Sequence, residues 1–525
     1  MSDLSDSAHG SSIAPPEVLK LDKLDADSVK APSELDFRRP GGVVAADLTL
    51  EELALTDAHG VAKGTFTQER TPSPKTSGWF KFLVWEGGTT WDAFFTCASA
   101  QVGQVILSLP HSLAQTGMVA GIVMMLLFAS LAMWTVYLMV VLYMDNKNRK
   151  IREGTWYDDN KRRRIANQYH EVMAASSYRW IGIFSRVVVI IALGGLAVAQ
   201  IIASSSNFHR LVPSLSKRDW ALVFGGVATC MTLLPSFRNA RVFSFLALIA
   251  TTYTAWYMVA MGIKGYNDEG LSSQAWREQK PMGLDGFFAG ASNIIFTFGG
   301  HAMLLEVMDS MFRPYKFHKT FYSSYSYVYT LVMPNSVFIY WGWPNQAAQY
   351  GNVFAYMPSS VERDIAIVLM VIHQVIVFGL FSFPIFFMVE KAFKVHTGAY
   401  WKRVACRLPV ALLLWLIALA FPFFGVINDI LGAFTTTFET FIIPCLVYNI
   451  HYQLKKNAEQ NRQETTIPPN RYIQKLGGYK FIFWFNWVVI VFTAIFGFGM
   501  GGYASIKAFV DSINDFGVFA ACYGC

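Results

Sequence analysis

Charge is what this chain has least of. Only 15% of its 525 residues are Asp, Glu, Lys or Arg, while 53% are hydrophobic. Soluble domains carry about 25% charged residues, so a water-soluble globule is excluded as the starting picture. Cysteine is scarce as well. Cys97, Cys230, Cys406 and Cys445 are scattered among apolar segments without metal-ligand spacing, and only Cys522 and Cys525 form a C-x-x-C. No metal site is expected from such a pattern, and the terminal pair reads as a disulfide or as two plain thiols. No Asn-x-Ser/Thr sequon occurs, and no nucleophile–base set stands out, which argues against an enzyme. The start MSDLSDSAHGSS has neither a basic n-region nor an apolar h-region. The first membrane helix is therefore expected to direct insertion, with no cleavable signal peptide.

Long apolar runs take the place of charge. Residues 118–143 and 481–499 contain no charged side chain, and each can cross a hydrocarbon core of about 30 Å, which takes about 20 helical residues. The aromatic share is 15%, with 43 Phe and 15 Trp, side chains that suit both the core and the interfaces of a bilayer. Eleven spans are predicted, at 90–116, 118–143, 182–207, 220–236, 242–263, 285–310, 320–343, 362–390, 407–425, 428–452 and 480–503. The expected architecture is an all-α polytopic membrane protein. Residues 1–80, rich in Ser, Pro, Asp and Lys, read as a disordered cytoplasmic tail; 81–504 as the transmembrane domain; and 505–525 as a short extracellular tail.

Lys and Arg gather in the loops that follow the even-numbered spans, most densely at Lys161-Arg162-Arg163-Arg164. Positive residues mark the cytoplasmic side, which predicts an inside N-terminus and an outside C-terminus. The same asymmetry accounts for the net charge of +7, so nucleic acid need not be invoked as a partner.

Two spans differ from the rest. Span 1 carries a small, polar patch, Cys97-Ala98-Ser99-Ala100-Gln101-Val102-Gly103-Gln104, halfway across the bilayer, and span 6 carries Gly299-Gly300-His301 at a similar depth. Paired glycines weaken a helix and histidine is costly in lipid. These spans lie five apart with opposite crossing directions. That is the spacing of a five-plus-five inverted repeat of the LeuT type whose first helices are broken at the midplane, with span 11 as an extra helix.

A broken helix leaves N–H groups unpaired at the start of its second half and C=O groups at the end of its first. With second halves beginning near Gly103 and His301, two positive helix ends converge and a carboxylate is the expected occupant. The candidate substrate-binding residues are Ser99, Ala100, Gln101, Val102, Gly103, Gly299, Gly300 and His301. Gln200, His373 and Gln374 join them at mid-depth on spans 3 and 8. His301 is the expected proton-coupling group, because a bound carboxylate favours its charged form and the helix N-terminus its neutral form; the alternative is a structural histidine bridging two helices. Glu306, Asp309 and Arg313 are a candidate intracellular gate, Glu439 a gate or relay, and Arg186 and Glu390 are expected to snorkel outward.

At these residues the chain resembles the plant auxin influx carriers (AUX/LAX type) of the amino acid/auxin permease family. The resemblance covers roughly residues 85–525. It rests on GGTTWDAFFTCASAQVGQVILSLPHS (87–112), LPSFRNARVFSFLALIATTYTAWYM (234–258), TFGGHAMLLEVMDSM (297–311) and ERDIAIVLMVIHQ (362–374). LPVALLLWLIALAFPFFGVIN (408–428) and GFGMGGYASIKAFVDSINDFGVFAACYGC (497–525) extend it. The resemblance implies an eleven-helix fold and proton-driven uptake of indole-3-acetic acid across the plasma membrane. It places substrate at Gln101, Val102, Gly103, Gly300 and His301. Two departures mark a divergent member: Ser99-Ala100-Gln101 stands where the family reads Ser-Asn-Gln, which removes a donor and an acceptor, and Leu109-Pro110-His111 where it reads Leu-Pro-Tyr.

The expectation is thus a proton symporter for a small carboxylate, working in a lipid bilayer with H+ as coupling ion and no cofactor. Its rivals are a proton-coupled permease for tryptophan or other neutral amino acids, and a sensor that binds without moving its ligand.

Overall fold

The computed structural model describes residues 88–153, 155–158, 163–164, 167–234, 241–268, 282–311, 313–396, 398–420 and 425–517. The tail expected at 1–80 and the Cys522/Cys525 pair lie outside the described residues. Among the described residues only a two-residue hairpin, Tyr157–Asp158 against Arg163–Arg164, is not helix or connection.

The first helix, α1 (Thr90–Val102), begins at a reciprocal cap. Asp92 accepts from the Thr89 backbone N–H and hydroxyl at 2.9 and 2.7 Å, and the Thr89 hydroxyl accepts from the Asp92 N–H, so orphan donors at the helix start are satisfied. The helix ends at Gly103, whose φ of +23° departs from helical values, and resumes as α2 (Val105–Thr116), bent by 48°. Next come α3 (Met118–Arg152), the short α4 (Tyr169–Ser176), α5 (Arg179–Leu211), α6 (Lys217–Thr229) and α7 (Arg241–Asp268). Helix α8 (Gly283–Thr297) gives way to three non-helical residues, among them Gly300 at φ +94°, before α9 (His301–Ser310). A left-handed φ of that size favours glycine. The rest of the helical framework is α10 (Phe317–Gly342), α11 (Val361–Ala392), α12 (Tyr400–Ala420), α13 (Val426–Leu454) and α14 (Tyr479–Asp515).

Eight of these helical stretches are long and apolar enough to cross a membrane, or nine with the bent pair α1–α2 counted as one. The spans expected at 220–236 and 320–343 fall on α6 and α10. The first is only 13 residues with a 3-10 turn, Cys230–Leu233, after it, and the second is rich in Tyr and Ser and carries His318 and Lys319. The last helix runs on well past the end expected at 503.

Outward faces are apolar. Val119, Val123, Trp180, Leu413, Leu416 and Trp484 are more than half exposed, an arrangement suited to lipid rather than to water. Inside, small residues let backbones touch: a Cβ on Gly342 would sit 2.0 Å from the Gly262 carbonyl oxygen, and one on Gly432 2.1 Å from that of Ser292, which pins α7 to α10 and α8 to α13. Residues Leu431–Ile442 of α13 are wound as a wider π-helix, a form that recurs at functional sites.

The snorkelling expected of Glu390 is corrected. Its side chain is fully buried, and its carboxylate accepts from Arg407 Nε at 2.6 Å, Arg403 Nε at 3.1 Å and His396 Nδ1 at 2.8 Å. Three donors replace the water it would otherwise seek. Arg186 is exposed.

Candidate functional site

Spans 1 and 6 run side by side, α8 packing on α2 and α9 on α1, so the two interruptions face one another. Between them lies a cavity lined by Ala100, Gln101, Gly103, Gln104 and Val105 from the first interruption and by Phe296, Thr297, Gly299, Gly300 and Met303 from the second. Leu196 and Gln200 of α5, Phe381 of α11 and Thr436 of α13 complete the wall. The space open to water centres is about 30 Å³, room for about two waters. The structure is therefore contracted around the site.

The chemistry of the wall is uneven. Leu196, Phe296, Met303 and Phe381 make it apolar and aromatic. The polar part consists of the Thr297 and Thr436 hydroxyls and of amides: Gln101 faces the Tyr325 hydroxyl without a close hydrogen bond, and Gln104 Oε1 and Gln200 Oε1 have no partner. Gln104 is fixed from its other end, its Nε2 donating to Asn428 Oδ1 at 2.8 Å. No Lys or Arg lines the cavity. Positive potential there comes instead from the start of α2, whose first amide groups have no partner within their helix.

The second interruption is built differently. The Gly300 N–H donates to Glu439 Oε1 at 3.1 Å, and the Tyr325 hydroxyl donates to the Phe298 carbonyl at 2.8 Å. A buried carboxylate of α13 thus occupies the helix end expected to receive substrate, and a tyrosine of α10 satisfies a carbonyl expected to be free.

Of the eleven candidate binding residues, Ala100, Gln101, Gly103, Gln200, Gly299 and Gly300 meet at the cavity. Ser99 turns its hydroxyl back to the Thr96 carbonyl, and Val102 is buried in the packing. His301 points away: its Nε2 lies 2.9 Å from the Thr135 hydroxyl and 3.3 Å from the Ala132 carbonyl of α3. Since a carbonyl only accepts, Nε2 carries the proton, and Nδ1 is left without a partner. As first residue of α9, His301 follows the rotation of that helix toward α3 rather than toward the cavity. His373 contacts the Ala247 carbonyl through Nδ1, and its partnerless Nε2 lies 3.5 Å from where a Cβ on Gly103 would stand. Gln374 is buried outside the cavity wall with neither amide atom paired.

Glu306 accepts from Gln168 Nε2 at 3.4 Å, and Asp309 accepts from the Tyr143 hydroxyl at 2.6 Å and from Asn167 Nδ2 at 3.3 Å. Arg313 lies beyond the end of α9. Gln104, Thr436 and the aromatic wall were not singled out from the sequence. Gln104 carried a signal, being part of the same polar patch, whereas Phe296 and Phe381 are indistinguishable by sequence from any lipid-facing phenylalanine.

With this geometry in place, the likeness to known proteins takes on meaning. The profile of the family described as "Transmembrane amino acid transporter protein" matches residues 86–503. Auxin transporter protein 1 of Arabidopsis thaliana is 38% identical over 447 residues, 84% of this chain and 88% of that protein. Auxin transporter-like protein 4 of Medicago truncatula is 37% identical over 448 residues, 85% of this chain and 89% of that protein. Among solved structures, MhsT in complex with L-phenylalanine superimposes with a TM-score of 0.56 at 10% identity, covering 79% of this chain and 99% of that one, a likeness of fold alone. The chain is therefore a multi-pass membrane transporter, not an enzyme, and it belongs to the auxin transporter group of the transmembrane amino acid transporter family.

Proposed function

We propose that this protein imports indole-3-acetic acid across the plasma membrane by proton symport, alternating access around the cavity between its two interrupted helices. One observation carries the reading: a cavity walled by Phe296, Phe381, Met303 and Leu196 that has the Gln101 Nε2 without a hydrogen-bond partner and the start of α2 at one side. An aromatic ring matches the wall, and a carboxylate matches the helix end and the Gln101 donor. The names of the relatives, auxin transporters in three plants, point the same way.

In this reading eleven helices cross the bilayer, ten of them as an inverted pair of fives, with α6 and α10 supplying the two that are short or polar. The N-terminus lies in the cytoplasm and the C-terminus outside. Bringing one anion into a negative-inside cell costs about 2.3 kcal/mol per 100 mV, and one accompanying proton removes that cost. H+ is the coupling ion, and no cofactor takes part. His301, held against α3, transmits movement of the second interruption to that helix. The contracted cavity corresponds to a closed stage of the cycle, and substrate entry requires the wall to part.

A second reading, a proton-coupled permease for tryptophan or another neutral amino acid, is favoured by the three partnerless acceptors Gln101 Oε1, Gln104 Oε1 and Gln200 Oε1, which suit an ammonium group. Uptake of labelled indole-3-acetate and of labelled tryptophan by proteoliposomes under an inward proton gradient separates the two. Saturable tryptophan uptake without indole-3-acetate uptake contradicts the first reading, and binding without flux of either contradicts transport.

A further inference from the structure

We propose that Glu439 of α13 is the group that carries the coupled proton, its carboxylate standing in for substrate at the start of α9 and taking up a proton when a substrate carboxylate arrives. The inference rests on the proton-symport reading and names the residue within it.

Four observations converge on Glu439. Its side chain is fully buried in the membrane-spanning part of the molecule. Its Oε1 accepts the Gly300 N–H at 3.1 Å, the Ala302 N–H at the start of α9 also faces the carboxyl, and Oε2 makes no close hydrogen bond. Gly299 and Gly300 form part of the cavity wall, and so does Thr436, three residues before Glu439 on the same helix. Glu439 also sits within the π-helical stretch Leu431–Ile442, anchored through its own backbone carbonyl, which accepts from the Tyr169 hydroxyl at 2.6 Å.

Among the titratable side chains of the described elements packed around it, Asp429 lies on α13 itself, ten residues before Glu439 and next to Asn428, which holds Gln104, but no hydrogen bond ties it to either helix interruption as Glu439 is tied to Gly300. Tyr169 of α4 touches only the backbone of Glu439. The ring of His301 turns to Thr135 and Ala132, and Glu306 and Asp309 of α9 are held by Gln168, Tyr143 and Asn167. Glu171 of α4 pairs with Lys391. Asp145 of α3 accepts from Thr466 and Tyr452, and Asp285 at the start of α8 pairs with Lys507 of α14. Arg186 of α5 is exposed, and on α13 itself Cys445 is buried.

The electrostatics then dictate a sequence. Without an anion in the cavity, the positive end of α9 favours Glu439 as a carboxylate while burial favours its neutral acid, so what else occupies that helix end decides its charge. A substrate carboxylate entering beside Gly299 and Gly300 would put two negative charges at one helix end in a medium of low dielectric, and a proton on one of them removes the conflict. A proton from external water forms an O–H bond on the Glu439 carboxyl, and the neutral acid gives up the Gly300 N–H to the substrate carboxylate. When the site opens to the cytoplasm and the anion leaves, the acid gives its proton to cytoplasmic water and the carboxylate resumes its place on α9. One proton crosses with each substrate anion, and the step moves no net charge.

The test compares wild type with Glu439→Gln, which keeps the size and an oxygen acceptor for Gly300 but cannot titrate. In proteoliposomes, accumulation of labelled indole-3-acetate under an inward proton gradient should fall about tenfold or more in the variant, with a flattened pH profile. Counterflow exchange at equal pH, which needs no net proton movement, should fall less than gradient-driven accumulation, and an equal fall in both overturns the assignment. Gradient-driven accumulation in Glu439→Gln with the wild-type pH profile overturns the assignment. Should that variant not insert, Glu439→Asp decides. Its carboxylate titrates but is displaced from α9, so the midpoint of the pH profile should move by about half a unit or more, and an unmoved midpoint overturns the assignment. Wild type that moves no indole-3-acetate contradicts the transport reading itself and takes the assignment with it, whereas accumulation by wild type beside an unaltered variant defeats the assignment alone.

Discussion

The two interrupted spans share a layout and differ in who satisfies their exposed groups. At the first, between α1 and α2, the amides of Gln101 and an oxygen of Gln104 face the cavity without protein partners. At the second, between α8 and α9, the protein supplies both partners, Glu439 to the Gly300 N–H and Tyr325 to the Phe298 carbonyl. Buried polar groups left unpaired cost about 1–3 kcal/mol each. The first interruption therefore stores an unmet demand that a ligand can meet. At the second the Gly300 N–H and the Phe298 carbonyl are already satisfied, and these groups can respond to a ligand only by exchanging one partner for another. The first is built to bind and the second to switch.

The largest expected effect comes from breaking the second interruption outright. Gly300→Val forces a β-branched residue to φ +94°, a strain of about 1–3 kcal/mol. The strain falls where Glu439 must come and go, so uptake should drop about a hundredfold while the protein still inserts; near-normal uptake would show that the positive φ is incidental. Next is Gln101→Leu, which removes the partnerless amide at the first interruption. Its loss should raise KM for indole-3-acetate about tenfold with maximal rate nearly kept, and a changed rate at constant KM would assign Gln101 to the switch instead.

Tyr325→Phe probes the opposite side of the comparison. It strips one hydrogen bond from the Phe298 carbonyl, worth about 1 kcal/mol. The turnover rate should change about threefold to fivefold and KM little; a KM effect equal to that of Gln101→Leu would erase the distinction between the two interruptions. The smallest effect lies outside the membrane, on α4. Burial alone would raise the Glu171 carboxyl, but the Lys391 ammonium at 2.8 Å and the Gln168 N–H hold it below the usual range. A carboxylate held low stabilises the fold above its unfolded pKa, and that contribution fades as pH falls through the folded value. Glu171→Gln should lower stability at pH 7 by less than about 1 kcal/mol. The difference should vanish below about pH 4, and a pH-independent difference would trace it to packing.

The spans were legible in the sequence because hydropathy is a local property: the uncharged runs at 118–143 and 481–499 fall within α3 and α14. The polar patch around Gln101 and the paired glycines before His301 were legible too, since both violate what a membrane helix otherwise contains. What could not be read is which side chain answers which exposed group. Glu439 lies 139 positions from Gly300, and no periodicity links them. The direction of His301 escaped for a related reason. Being adjacent to an interruption fixes a residue's depth but not its azimuth, and the rotation of α9 turns the ring to α3.

The most direct measurement is a structure with indole-3-acetate bound. The account predicts the carboxylate within hydrogen-bond reach of Gln101 and the first amides of α2, the ring between Phe296 and Phe381, and the cavity enlarged. A ligand seated elsewhere, or one whose carboxylate rests on a Lys or Arg side chain with Gln101 untouched, would contradict it.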